Sequence, residues 1–104
     1  MSAVPQRNTV NATGRSGKTY TFTEYPIGTE FKSLGAVYMF LNGRATVYVG
    51  QTEDLSERFD DHHKADCIRR HGATVICVLV VSGEAERLAI ERDLLANYPW
   101  PCNG

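Results

Sequence analysis

The sequence predicts an α+β fold: a small antiparallel sheet of three core strands, extended by an N-terminal strand at its edge, with helices packed on it. Three observations lead there. Two β-rich runs flank an Asn42-Gly43 pair, a later run is apolar on both faces, and the last long segment is amphipathic and stops at Pro99 and Pro101. A length of 104 residues, 42% of them hydrophobic and 22% charged, fits one domain with a buried core and not a disordered tail.

Met1 to Gly17 is small and polar, lacks apolar periodicity, and reads as a flexible arm. Lys18 to Tyr25 alternates Thr with aromatic residues, which predicts a strand ended by Pro26. Pro26, Gly28 and Gly35 then punctuate a loop, so residues 18–34 form a strand-and-loop extension to a domain spanning 35–104. Ala36 to Leu41 and Ala45 to Val49 form the two arms of a hairpin. Its register is open at this level. A three-residue loop, Asn42-Gly43-Arg44, pairs Tyr38 with Tyr48 and puts both phenols on one face, whereas a two-residue loop pairs Tyr38 with Val47 and splits them.

Thr52 is a candidate helix N-cap, and Glu53 and Asp54 suit the positive end of the helix dipole, so a helix is expected from there to about Ala65. Thr74 to Val81 predicts a strand covered on both sides. Ser82 is placed to cap the last helix, with Glu84 and Glu86 in its first turn and its end near Asn97.

Eleven Lys and Arg against twelve Asp and Glu give a formal charge of −1, so total charge does not advertise a polyanion partner. No run approaches the ~20 apolar residues of a membrane span, and Met1 to Lys18 lacks the apolar stretch of a secretory signal. A soluble, cytoplasmic protein is expected. Cys67, Cys77 and Cys102 cannot all pair within one chain, and free thiols are expected.

On the wheel of the last helix, Ala85, Leu88, Ile90, Leu94, Leu95 and Tyr98 share one arc, with Glu86, Asp93 and Asn97 opposite. Glu91 falls near the middle of that apolar arc. A carboxylate there loses hydration and needs a cation, a metal or strong hydrogen bonds; an ion pair with Arg87 or Arg92 is the plainer alternative. On the earlier helix Leu55 and Phe59 mark the buried stripe, and Arg58 and His62, four apart, share its flank. An Arg that grips a phosphate through two parallel hydrogen bonds, one turn from a titratable imidazole, suits phosphoester chemistry, although a boundary Arg and a satisfied His are commoner. A single Tyr in a strand is likewise more often core than catalyst.

Taken together, these positions resemble the GIY-YIG nuclease family. The first motif element reads Ala36-Val37-Tyr38 and the second Tyr48-Val49-Gly50; Gln51-Thr52-Glu53-Asp54-Leu55, Arg58, His62, Glu91 and Asn103 follow in order. The resemblance spans Gly35 to Asn103 and implies a divalent-metal-dependent DNA endonuclease. It implies that Glu91 holds one Mg²⁺ or Mn²⁺, with water and phosphate oxygen completing the ion's shell. Arg58 is implied on the scissile phosphate, Tyr38 as the group that positions or deprotonates the attacking water, and Tyr48 and His62 beside it to tune or relay the proton. Asn103 is implied to orient a site group by hydrogen bonding, and Gly50 to let the backbone turn closely beneath the site. Gln51, Arg44, Lys64, Arg69 and Arg70 are the candidate contacts to DNA, with Arg7 and Arg15 on the arm as further phosphate ligands.

The chain departs from the pattern in places. Gln51 stands where many members have Lys, His62 where many have Tyr, and the separate DNA-binding domain of many members has only the region before Gly35 to occupy. Dimerisation or a partner protein could supply what is short. Two rival readings stand beside the nuclease. One is a non-cleaving module that keeps the fold and binds nucleic acid or protein. The other is a zinc-binding protein, because His63, Cys67 and His71 recur at spacing four and could share a helix face, although no fourth ligand is evident.

Overall fold

Six consecutive buried residues, Ala36 to Leu41, mark the strand around which the rest assembles. The computed structural model describes residues 8–57 and 63–103. It contains β1 (Thr9–Thr13), β2 (Thr19–Pro26), β3 (Ala36–Asn42), β4 (Ala45–Thr52), α1 (Ala65–Arg70), β5 (Val75–Val80) and α2 (Glu84–Leu95). The strands form one five-stranded sheet in the order β1-β2-β5-β3-β4, with every neighbouring pair antiparallel.

Because alternate residues of a strand face opposite ways, β3 supplies two cores at once. Val37, Met39 and Leu41 join Phe22, Val49 and Cys77 under Ile90 and Leu94 of α2, with Trp100 at the margin. Ala36, Tyr38 and Phe40 join Val47, Tyr48, Ile76 and Val78 on the other face, against Leu55, Ile68 of α1 and Cys102. The expectation of a strand covered on both faces holds for β5, where Ile76, Cys77 and Val78 are all buried. Among the described residues no helix is long and apolar enough to cross a membrane.

Five strands stand where three plus an edge strand were expected, and the difference lies in the polar N-terminal stretch. Thr9–Thr13 pairs with Thr19–Thr23 and forms the outer strand, so β2 lies inside the sheet between β1 and β5. The arm reading therefore fails for the described part of residues 1–17. The stretch is ordered from outside itself: Asp93 of α2 reaches over the β1–β2 turn, accepting hydrogen bonds from the Ser16 backbone N–H at 2.9 Å, the Ser16 hydroxyl at 2.6 Å and the Tyr20 hydroxyl at 2.7 Å. Nearby, Asn97 Nδ2 donates to the Thr13 carbonyl at 2.7 Å and the Thr13 N–H donates to the Tyr98 hydroxyl at 2.9 Å. These are tertiary contacts, invisible to local periodicity.

The hydrogen bonds from Ser16 and Tyr20 hold the Asp93 carboxyl below its ordinary range, so its contribution is complete above the ordinary carboxyl value of 3.8 and is lost as pH falls from there through the depressed value. Asp93→Asn should therefore lower the urea midpoint at neutral pH, and the gap from wild type should close on acidification below that range. Faster amide exchange at Ser16 in the variant is the local readout.

The helix expected from Thr52 to Ala65 is not formed in its described part. Thr52 Oγ1 accepts the Asp54 N–H at 3.0 Å and Asp54 Oδ1 accepts the Ser56 N–H at 2.9 Å, so short polar side chains capture the backbone in turns. Residues 58–62, including Phe59, lie outside the described residues, and the helix is recorded later, at Ala65–Arg70. At α2 the cap is Gly83 in place of Ser82, without a side-chain bond; the Ser82 carbonyl instead accepts from Arg87 Nη1.

Candidate active site

Phe40 pairs with Tyr48 and Tyr38 with Gly50; between Phe40 and Leu41 the register shifts, so that Leu41 pairs with Thr46 and Asn42 with Ala45. Neither register weighed from the sequence is the one formed. The turn is Gly43-Arg44, and Val47 is the extra residue of a bulge. Both phenols still reach one face because Tyr38 and Tyr48 belong to the paired stretch beyond the bulge. Their ring centroids are 6.2 Å apart, tilted by 35°.

Gly50 is required by space rather than by dihedral freedom. A Cβ there would lie 2.7 Å from Tyr38 Oη and 2.9 Å from a ring carbon of Tyr48. The bare backbone at that position lets the two rings close over β4.

Tyr38 is 3% exposed and Tyr48 8%. Desolvation drives both phenols above the ordinary value of 10, and the negative charge of Glu91 adds to each. Their mutual hydrogen bond raises Tyr38 and lowers Tyr48, which is the signature of Tyr38 donating to the Tyr48 oxygen. Tyr48 is thus the easier of the two to ionise.

Glu91 reaches the phenols electrostatically from α2, which packs against β4 and β3. Its own carboxyl is half-buried, and desolvation raises it, partly opposed by Arg92. Among the described residues it accepts no hydrogen bond and forms no ion pair, and the alternative pairing with Arg87 does not occur. Arg87 donates from Nε to Gln51 Oε1 at 2.9 Å and from Nη1 to the carbonyls of Val81 and Ser82 at 3.0 and 2.8 Å. It is 3% exposed, whereas Leu88 and Leu95, which the wheel placed inward, are 37% and 38% exposed. The buried stripe is Arg87, Ile90 and Leu94, with Glu91 beside it. The signal available in the sequence was the run of spacings three, four and seven that includes an Arg; hydrophobicity alone steered past it.

Asn103 sits at the outer edge of β4. Its Oδ1 accepts the Val49 N–H at 3.0 Å and its Nδ2 donates to the Val49 carbonyl at 2.8 Å, so one side-chain amide mimics a neighbouring strand. The adjacent Cys102 N–H donates to the Val47 carbonyl at 3.0 Å, and Thr46 Oγ1 donates to the Pro99 carbonyl. Asn103 therefore positions the strand between Tyr48 and Gly50. Asn103→Ala should cost about 1–2 kcal/mol in urea denaturation through the two lost bonds.

Arg58 and His62 lie outside the described residues, as does Arg7. The other candidate DNA contacts are scattered. Arg44 is exposed in the hairpin turn, at the end of β3–β4 away from Gly50; Arg69 is exposed and paired with Asp66 at 2.7 Å; Arg70 is exposed at the end of α1; Lys64 is the N-cap of that helix. Arg15 is exposed in the β1–β2 turn. Gln51 is committed to Arg87. A cleft of about 910 Å³ opens elsewhere, lined by residues that include Phe31, Phe40, Leu55 and Ile68 and not by Tyr38, Tyr48 or Glu91.

The cysteines correct another expectation. Cys67 and Cys102 form a disulfide between α1 and the C-terminal segment, and Cys77 alone is free, buried in β5 with its thiol pushed up to about 12. An odd count forbids three paired cysteines but not two. Neither a family model, nor a curated protein, nor a solved structure matches this chain.

Proposed function

We propose that this protein is a divalent-metal-dependent DNA endonuclease with a GIY-YIG-like domain. The observation that carries the reading is the pair of hydrogen-bonded phenols, Tyr38 and Tyr48, closed over the one residue of β4 that has no side chain, with the Glu91 carboxylate of α2 within electrostatic reach of both. Packing alone supplies no reason to bring a carboxylate lacking an ion-pair or hydrogen-bond partner among the described residues to two hydrogen-bonded phenols.

The residues fit a single hard cation. Glu91 offers one carboxylate with no competing described partner, and ions such as Mg²⁺ are commonly held by one or two carboxylates plus water and phosphate. Bound there, Mg²⁺ or Mn²⁺ supplies neutralisation of charge on the phosphate. Tyr38 keeps its proton and orients an attacking water by hydrogen bonding. Tyr48 receives the Tyr38 hydrogen bond and is the more readily ionised phenol; burial and Glu91 hold it above its ordinary value, so it would accept the water's proton only as the phenolate, which the positive charge of a bound cation and of Arg58 would have to favour. Arg58 and His62 carry phosphate binding and proton relay in this reading, and Asn103 keeps β4 in register beneath the phenols.

The test is incubation of plasmid and branched DNA with the protein in Mg²⁺ or Mn²⁺, beside Arg58→Ala and Tyr48→Phe. Metal-dependent cleavage that both substitutions lower by about 10²-fold or more supports the proposal. Absence of cleavage on every DNA form at high enzyme overturns it and leaves a non-cleaving binding module with the same fold.

A further inference from the structure

The structure assigns a second, soft-metal site to Cys67, His71 and Cys102: we propose that the reduced protein binds one Zn²⁺ there, in a state that excludes the disulfide. Ligand atoms of the three residues lie within 4.8 Å of one another. Only two of them belong to the spacing noted in the sequence; the third arrives from the C-terminal segment, and His63 is not in the cluster.

Once the disulfide is reduced, the same geometry suits a metal. His71 Nδ1 is 3.5 Å from Cys67 Sγ and 3.6 Å from Cys102 Sγ. In a tetrahedral site with Zn–S near 2.3 Å and Zn–N near 2.0–2.1 Å, the N···S edge is about 3.6 Å. Both edges already have that length. Only the sulfur–sulfur edge must open, to about 3.8 Å, once the covalent bond is gone. The Cα atoms of the two cysteines stand 5.7 Å apart, so side-chain rotation provides the change. His71 closes α1 as its C-cap, one turn after Cys67, which fixes those two ligands on one face. Cys102 is fixed independently by its N–H bond to Val47.

A dithiol reductant transfers two electrons to the Cys67–Cys102 bond, which breaks with uptake of two protons, and the reductant becomes its own disulfide. Zn²⁺ then displaces the two thiol protons and is held by two thiolates and the neutral imidazole. Nδ1 also lies 2.9 Å from the Cys67 carbonyl, the distance of an Nδ1–H donor bond, so metal binding through Nδ1 gives up that bond and moves the ring proton to Nε2. His71 is exposed, and water completes the shell. Either state ties α1 to the segment that carries Asn103; the reduced, metal-free protein has no such tie.

Cobalt is the probe. Titrated with Co²⁺ under reducing conditions, the full chain should take up one ion per molecule with thiolate-to-cobalt charge-transfer absorption, displaced by Zn²⁺. The oxidised protein should show none. Cys102→Ser should abolish the band and Cys77→Ser should retain it. His71→Ala, at an exposed position, should weaken binding by more than the ~10–100-fold that loss of an outer partner costs. Glu91→Gln should leave the band unchanged, which separates this site from the proposed catalytic one. No band in the reduced protein, a band that survives Cys102→Ser, or unchanged affinity in His71→Ala would each overturn the assignment.

Discussion

Glu91→Gln is expected to raise the melting temperature at pH 7 while lowering metal-dependent cleavage by about 10²- to 10³-fold. The two effects have one origin. Burial holds the Glu91 carboxyl above its ordinary value of 4.5, so between that value and the folded one the folded state binds more protons than the unfolded state. Stability from this group is therefore highest below the ordinary value and is lost as pH rises through the window. Above the window the wild type carries a half-buried charge that Gln removes. The advantage of the variant should shrink on acidification through the window, because the wild-type carboxyl then protonates. Mg²⁺ should raise the wild-type melting temperature and not that of the variant. A variant that melts lower than wild type at pH 7, in thermal scans with chelator, would show that the carboxylate is held by a stabilising partner rather than waiting for a cation.

Gly50→Ala is expected to destabilise the fold by about 1–3 kcal/mol, the usual cost of overpacking, and to depress cleavage with it. The added methyl meets Tyr38 Oη at 2.7 Å and the ring carbon behind it at 2.8 Å. A flexible side-chain end could step aside, but this ring is 3% exposed, packed edge-on against Phe40 at 5.9 Å and hydrogen-bonded to Tyr48. Strain therefore passes to the phenols. The double variant Gly50→Ala/Tyr38→Phe, which removes the nearest atom, should lose less than the sum of the single variants in urea denaturation. Additive losses would place the strain elsewhere.

Much of this was legible from residue order alone. The central strands were, because β3 and β5 are apolar in a continuous run and Asn42-Gly43 marks the turn region between β3 and β4. So was α2, whose ends are set by acidic residues and prolines. The resemblance picked out Tyr38, Tyr48, Gly50 and Glu91, and three of these side chains do stand within electrostatic reach of one another.

What the chain order could not decide is whatever depends on groups far apart in sequence. Thr9–Thr13 is polar enough to read as an arm and becomes a strand only because β2 and the end of α2 satisfy its backbone. The buried face of α2 turned toward Arg87 because Gln51 and two carbonyls await the guanidinium. Register depended on a bulge at Val47, and the sulfur pairing on the return of the C-terminal segment to α1. Local periodicity reports which side of an element is apolar; which polar groups find partners is fixed only when the elements pack, since an unpaired buried donor or acceptor costs more than a misplaced methyl group.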